Sequence, residues 1–119
     1  MVITDIFKCL KSIKGNLIDE KVLQLQVLLS LQKQLGDIYN VQREFRLDSE
    51  SVIDFLIDDS IGIEVKIKGQ KRAIYKQCER YCQFEKINSL ILLTNVSIGF
   101  PKEINDKDCY VINLSKAWL

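Results

Sequence analysis

The sequence predicts an α/β (α+β) fold, a mixed central sheet flanked by helices, and three stretches carry that prediction. The first is Ser51 to Gly69, SVIDFLIDDSIGIEVKIKG, where two apolar runs, each long enough for one strand, lie back to back. Asp58, Asp59, Ser60 and Gly62 between them favour a tight reversal, so the pair reads as a hairpin. The second is Gln70 to Phe84, whose Ile74, Cys78, Tyr81 and Cys82 form a buried stripe at helical spacing. The third is Ser89 to Asn95, SLILLTN, nearly all apolar, as a strand buried on both faces must be. Strand, helix and buried strand in succession imply a right-handed crossover to a parallel position.

The other elements follow along the chain. Residues 1–14 read as a short amphipathic helix, with Ile3, Ile6, Phe7 and Leu10 at helical spacing and Lys8, Lys11 and Lys14 elsewhere. That helix packs on the domain or on a second copy of it. Its apolar run is too short for a signal peptide, and no stretch reaches the length of a membrane span, so no membrane partner is expected. Asp19 is placed to cap a helix from Glu20 to Leu35. Val22, Leu25, Leu28, Leu29 and Leu35 give its core stripe. Leu23, Val27 and Leu31 widen that stripe, so the helix is either deeply buried or shared with a partner. Gly36 is the expected C-cap. Asp37 to Leu47 gives the first strand, with Tyr39, Val41, Phe45 and Leu47 inward and Gln42, Glu44 and Arg46 on the other face. Residues 96–107 hold Gly99, Pro101 and Asn105 and read as a loop with one helical turn. Cys109 to Leu114 is a last short strand, and residues 115–119 are a docked tail carrying Trp118.

Composition bounds what this chain can do. Its 119 residues make one domain, 1–119, large enough for a real core. A hydrophobic content of 47% excludes a disordered chain. The net charge of +1 excludes a global field that would draw the protein to nucleic acid, so any such attraction is local. The four cysteines, Cys9, Cys78, Cys82 and Cys109, have no histidine to share a zinc ion or activate a thiol. Reduced, buried thiols in a cytoplasmic protein are the expected state.

The central hairpin carries the chemistry. Alternation puts Ile53, Phe55 and Ile57 on one face of its first arm and Val52, Asp54 and Leu56 on the other. In the second arm Ile61, Ile63, Val65 and Ile67 form an apolar face, while Gly62, Glu64, Lys66 and Lys68 lie opposite. Pairing near the middle brings Asp54 close to Glu64 and Lys66. Glu-x-Lys alone is a common solvated strand face, but Asp54 interrupts a run that is apolar on both faces, where an acid needs a partner. Two close carboxylates repel unless a cation or a proton sits between them. Their oxygens suit Mg²⁺ or Mn²⁺, completed by water and phosphate. A lysine beside them can position the attacking water and stabilise charge on a phosphorane, which together describe metal-assisted phosphodiester hydrolysis.

At these residues the chain resembles the PD-(D/E)XK nuclease superfamily, whose signature is an Asp on one strand and Glu-x-Lys on the next. Here these are Asp54 and Glu64-Val65-Lys66, with Ile53 where the signature has Pro. Gln77-Cys78-Glu79-Arg80-Tyr81 is similar to the QxxxY element of the RecB-like and lambda-exonuclease-like branch. Small phage and archaeal Holliday-junction resolvases share the core and carry a Glu on the first helix, for which Glu20 is the counterpart. The resemblance spans about residues 18–113. It implies a restriction-endonuclease-like αβββαβ core and an Mg²⁺- or Mn²⁺-dependent deoxyribonuclease. The metal would be held by Asp54, Glu64 and the Val65 carbonyl, with Lys66 and Gln77 as further catalytic residues. It also implies a prokaryotic or phage-infected cell, and a homodimer if the enzyme is a structure-selective resolvase. A module of the same fold that binds nucleic acid without cutting is the reading outside enzymes.

Two residues keep a second meaning at this level. Glu20 sits in the first turn of its helix, where the dipole favours a carboxylate whether or not it joins a metal site. Glu44 either flanks the site or belongs to a solvated face with Arg43 and Arg46. From Lys66 to Lys86 seven basic residues stand against Glu79 and Glu85, a local excess of five positive charges. Lys68, Lys71, Arg72, Lys76, Arg80 and Tyr81 are the expected contacts to DNA there, although a solvated helix face has the same look.

Overall fold

The structure, a computed structural model, describes residues 2–114. Met1 of the expected first helix and the expected tail at 115–119, Trp118 included, lie outside the described residues. The elements run α1 (Val2–Lys11), α2 (Glu20–Leu35), β1 (Val41–Arg46), β2 (Val52–Ile57), β3 (Ile61–Lys66), α3 (Lys71–Tyr81), β4 (Ser89–Thr94), β5 (Glu103–Ile104) and β6 (Lys107–Asn113). The strands form one mixed sheet of order β1-β2-β3-β4-β6-β5. β1, β2 and β3 are antiparallel neighbours, and β4 returns parallel to β3 after α3, as the strand-helix-strand pattern predicts. Among the described residues no helix is long and apolar enough to cross a membrane.

Two cores cover the sheet. Ile6, Cys9 and Leu10 of α1 and Leu23, Val27, Leu31 and Leu35 of α2 pack against Phe55, Ile57, Ile63, Val65, Ile91 and Leu93. On the other side Ile74, Cys78, Tyr81 and Cys82, the predicted α3 stripe, pack against Ile53, Leu56, Leu90 and Leu92. The two apolar parities of β4 therefore divide between the two cores, which is why that strand reads as an unbroken apolar run. α2 occupies its predicted range, and the Asp19 carboxylate accepts the Lys21 and Val22 N–H groups at its start.

Several expectations are corrected. In α2 the buried residues are Leu23, Gln24, Val27, Leu31 and Leu35, whereas Val22, Leu25 and Leu29 of the expected core stripe are exposed. Both faces of this helix are apolar, so periodicity cannot tell which one the sheet covers. Gly36 is the C-cap of α2 as expected; it has right-handed helical geometry, φ −62°, and its N–H donates to the Gln32 carbonyl. β1 starts at Val41, because Ile38 and Tyr39 still donate to the Leu35 carbonyl. Within 96–107 the structure has β5 where one helical turn is expected. Asn105 and Asp106 both have positive φ, 51° and 63°, as the two-residue turn of a tight hairpin requires, and they join Ile104 to Lys107.

The largest departure concerns alternation. Tyr39 and Val41 pack on the α1–α2 side as predicted for one face, but Phe45 and Leu47 pack on the α3 side. Likewise Phe55 and Ile57 face α1 and α2, while Ile53 joins Leu56 on the α3 side. Both strands thus change face, and the register Arg43↔Phe55, Phe45↔Ile53 places both changes at one opposed pair, Glu44 and Asp54. Glu44 turns its strand with a φ of 51°, a left-handed conformation rare for a residue with a side chain. The switch carries Ile53 over Gly62, where a Cβ would stand 2.5 Å from Ile53 Cδ1 and 3.0 Å from Ile87 Cδ1. Gly62→Val should therefore destabilise the fold by about 1–3 kcal/mol, the usual cost of overpacking a core. Urea unfolding checks this: the midpoint falls with the slope unchanged, and an unshifted midpoint would place Ile53 elsewhere.

Candidate active site

The site lies where the β2–β3 ladder stops. Main-chain pairing runs from Ile57↔Ile61 to Phe55↔Ile63 and ends there. The next opposed residues in that register are Asp54 and Glu64. Here side chains take over the sheet's hydrogen bonds. Asp54 Oδ2 accepts the Val65 N–H at 2.8 Å, and Glu64 Oε1 accepts the Asp54 N–H at 3.2 Å. Each acid satisfies a main-chain donor that would otherwise be orphaned next to the core. This explains why an acid is tolerated inside the run Val52 to Ile57, and it brings the two carboxylates together.

Groups from both helices close around them. Lys66 Nζ stands 3.6 Å from Glu64 Oε2. The Tyr81 hydroxyl of α3 lies 3.3 Å from the same oxygen and 3.0 Å from the Val52 carbonyl, and it accepts from Gln77 Nε2 at 2.8 Å. From α2, Gln24 Nε2 donates to Asp54 Oδ1 at 3.3 Å, and Glu20 Oε1 accepts the Ile67 N–H at 3.0 Å. The carboxylate pair thus sits at the end of β3 between the first turns of α2 and the buried flank of α3. Thr94 fixes the backbone of the lysine, donating its hydroxyl to the Lys66 carbonyl at 2.6 Å.

Electrostatics set the protonation state. Glu64 is only 3% exposed. Burial above all, and then the charge of Asp54, push its carboxyl up to about 8, against the pull of Lys66. Asp54 is raised too, chiefly by burial, while the Val65 N–H and Lys66 work the other way. Two acids this close titrate as a unit, and the pair retains a proton near neutral pH. Burial and the Glu64 charge also raise the Tyr81 hydroxyl, which stays protonated.

A divalent cation fits this donor set. Oxygens are the only donors, and the raised Glu64 marks negative charge that Lys66 alone does not answer. Asp54 Oδ1 and Glu64 Oε2 are not taken by main-chain N–H groups. Mg²⁺ needs only one or two carboxylates when water and phosphate complete its shell. Among the described residues no three His, Cys, Asp or Glu side chains form a metal-sized cluster, so the protein's share would be Asp54, Glu64 and main chain at Val65.

Of the predicted site residues, the structure brings together Asp54, Glu64, Lys66, Gln77 and Glu20, with Val65 at the Asp54 carboxylate. Glu44 opposes Asp54 in register, but its carboxylate pairs with Arg43 Nε at 3.5 Å on the exposed surface. Tyr81, expected to touch a phosphate, is fully buried and holds Glu64 instead, because its ring belongs to the α3 core stripe. Lys68, Lys71, Arg72, Lys76 and Arg80 are exposed. Gln24 and Thr94 escape sequence reasoning. Gln24 had a signal: it is the polar residue on the inner face of α2, one turn from Glu20. The four cysteines are free and buried. No family model matches the chain, and no curated protein or solved structure matches it either.

The raised Glu64 has a sign that can be measured. Between about 4.5 and about 8 the folded state holds a proton that the unfolded state has released. Stability from this group is fully present below the lower value and is lost as pH rises through the upper one, at up to about 1.4 kcal/mol per pH unit. Thermal melting of the metal-free protein from pH 5 to pH 8 should therefore show a falling midpoint. Glu64→Gln should flatten that fall, and a variant with the wild-type slope would assign the proton to another group.

Proposed function

We propose that this protein is a metal-dependent nuclease that hydrolyses DNA phosphodiester bonds. The observation that carries the reading is the meeting of Asp54, Glu64 and Lys66 where β2 and β3 part. The order α2-β1-β2-β3-α3-β4 supports a restriction-endonuclease-like αβββαβ core and membership of the PD-(D/E)XK superfamily. A bound Mg²⁺ or Mn²⁺ supplies Lewis-acid stabilisation of the phosphate and a more acidic water. Asp54 and Glu64 would hold that charge in place. Lys66, a compact donor beside Glu64 Oε2, orients the attacking water and stabilises negative charge on the phosphate oxygens. Tyr81, locked by Gln77, fixes the Glu64 carboxylate, and Gln24 fixes that of Asp54. The exposed lysines and arginines of α3 lie on the element beside the site and supply the surface for a phosphate backbone. A second reading, a structure-selective junction resolvase, is favoured by Glu20, whose carboxylate reaches the end of β3 and whose charge acts on Asp54.

Lys66 separates cutting from mere binding. Lys66→Ala should slow single-turnover cleavage by at least about a hundredfold, the scale of a general acid–base group. Lys66→Arg keeps the charge but not the compact donor, so it should restore DNA binding better than rate. The assay uses duplex, single-stranded and branched DNA with Mg²⁺ or Mn²⁺, beside a chelated control. Equal cutting by all three proteins would place the activity elsewhere. Binding by all three without cutting under any condition would favour the non-catalytic module.

The basic helix makes a separate prediction. Reversing the charges of Arg72, Lys76 and Arg80 should weaken binding to all duplex sequences alike, and the salt slope should fall by about 0.9 for every phosphate no longer neutralised. Titrations at several salt concentrations check this. An unchanged slope would move the DNA path off α3.

A further inference from the structure

Three of the four cysteines share the core beneath α3. Cys78 and Cys82 stand one turn apart on the buried stripe of the helix, and Cys109 of β6 belongs to the same core. Cys9 lies in the other core, beneath α1. All four are free thiols. Cys82 Sγ stands 3.7 Å from Cys109 Sγ, although the two residues are 27 positions apart in the chain, so the fold alone brings them together. A buried thiol commonly serves as a small apolar filler. That role requires neither contact between two sulfurs nor a path from solvent to one of them.

The two thiols are not equivalent. Cys82 is 0% exposed, whereas Cys109 is 7% exposed and lines a surface pocket of about 340 Å³ together with Phe100, Pro101 and Lys102. A small oxidant entering that pocket meets Cys109 first. Hydrogen bonding runs in the same sense. Cys109 Sγ donates to the Lys107 carbonyl at 3.5 Å, which leaves Cys82 as the donor in the bond between the thiols. That bond above all holds the Cys109 thiol below its usual value, while burial works the other way. The same bond, and burial with it, hold the Cys82 thiol up. One thiol is thus reachable and the readier to lose its proton, and the other is shielded behind it. That is the layout of an attacking and a resolving cysteine.

We propose that Cys82 and Cys109 are a modification site, a reversible dithiol that a small hydroperoxide oxidises to a disulfide. The thiolate sulfur of Cys109 attacks one peroxide oxygen and the O–O bond breaks. The leaving oxygen departs as an alcohol, or as water from hydrogen peroxide, with the proton of that thiol. Cys109 is then a sulfenic acid, its sulfur oxidised by the two electrons that reduce the peroxide. The Cys82 sulfur attacks the Cys109 sulfur, the S–O bond breaks, and hydroxide leaves as water with the Cys82 proton. Two thiols and one hydroperoxide become one disulfide, one alcohol and one water. A disulfide sets its sulfurs about 2.0 Å apart, and rotation about the two Cα–Cβ bonds brings these in from 3.7 Å. The bond ties the end of α3 to β6 and closes the segment that holds β4. Nothing in this chemistry requires the nuclease reading.

Peptide mapping of the full chain tests it. The reduced protein is treated with a few equivalents of hydrogen peroxide, remaining thiols are alkylated in denaturant, and trypsin is added without reductant. Trypsin cuts after Arg80, so Cys78 and Cys82 fall in different peptides. Two of the four thiols should disappear, and the peptide of Cys82 should be joined to that of Cys109. Before alkylation the chain should be lighter by two hydrogen atoms. Cys9 and Cys78 should carry the alkyl label, and dithiothreitol should restore all four thiols. Cys82→Ala should leave Cys109 as a sulfenic acid that dimedone traps, while Cys109→Ala should keep its remaining thiols at the same dose. Circular dichroism checks that both variants fold, and the wild-type map decides the pairing without them. Four intact thiols in wild type after excess peroxide overturn the inference. So does a wild-type bond from Cys109 to Cys78, a bond between two chains, or oxidation that starts at Cys9. A folded Cys82→Ala chain with no dimedone adduct at Cys109 overturns the assigned order of attack.

Discussion

The carboxylate of Asp54 stands where a main-chain carbonyl would stand in an unbroken ladder, accepting the Val65 N–H at 2.8 Å. The layout of the site depends on that substitution. With Glu64 answering the Asp54 N–H, strands β2 and β3 part without leaving buried donors unpaired. Once the strands part, β2 is free to change face, and Ile53 crosses to the α3 core while Phe55 stays with α1 and α2. The neighbouring β1 follows at Glu44, where a positive φ turns it over at the same level. A hydrogen-bonding swap at one residue pair thus propagates through two strands and opens a polar notch in an otherwise apolar sheet.

That notch is short of positive charge. Lys66 at 3.6 Å from Glu64 offers roughly 4–5 kcal/mol of attraction at an effective dielectric of about 20. Taking a carboxylate out of water costs several kcal/mol, and here two are taken out side by side. Burial and repulsion win, which is why Glu64 rises to about 8 in spite of the lysine. In the metal-free protein a proton relieves the pair. Under the proposed function a divalent cation would relieve it more completely and would displace that proton, so its affinity would strengthen as pH rises. The fold tolerates an underneutralised pair because main-chain and side-chain donors hold its geometry fixed.

Much of this is legible in the residues. Asp58 to Gly62 between two apolar runs places the hairpin. Asp19 and the leucines place α2, and the stripe Ile74, Cys78, Tyr81 and Cys82 picks the buried face of α3 correctly. Asp54, Glu64 and Lys66 stand out because an acid inside Val52–Ile57 needs a reason. What cannot be read has a common cause. Simple alternation assumes a continuous ladder, so it assigns Phe45 and Ile53 to the wrong side once the ladder breaks. Periodicity on a helix apolar all round cannot say which face the sheet takes, so it misplaces Val22, Leu25 and Leu29. β5 is two residues long, too short to show any period, and only its turn marks it. Glu44 draws attention for its sign, yet its carboxylate pairs with Arg43 at the surface, and what sets it apart is its backbone, with a φ of 51°.

α2 connects the acids to the outer surface. Its inner face is apolar except at Gln24, which reaches Asp54, and its first turn sends Glu20 to the Ile67 N–H. Shifting this helix by a fraction of a turn would therefore move polar partners of both β2 and β3. Twisting is resisted on the inner side by Leu23, Val27 and Leu31, each fully buried.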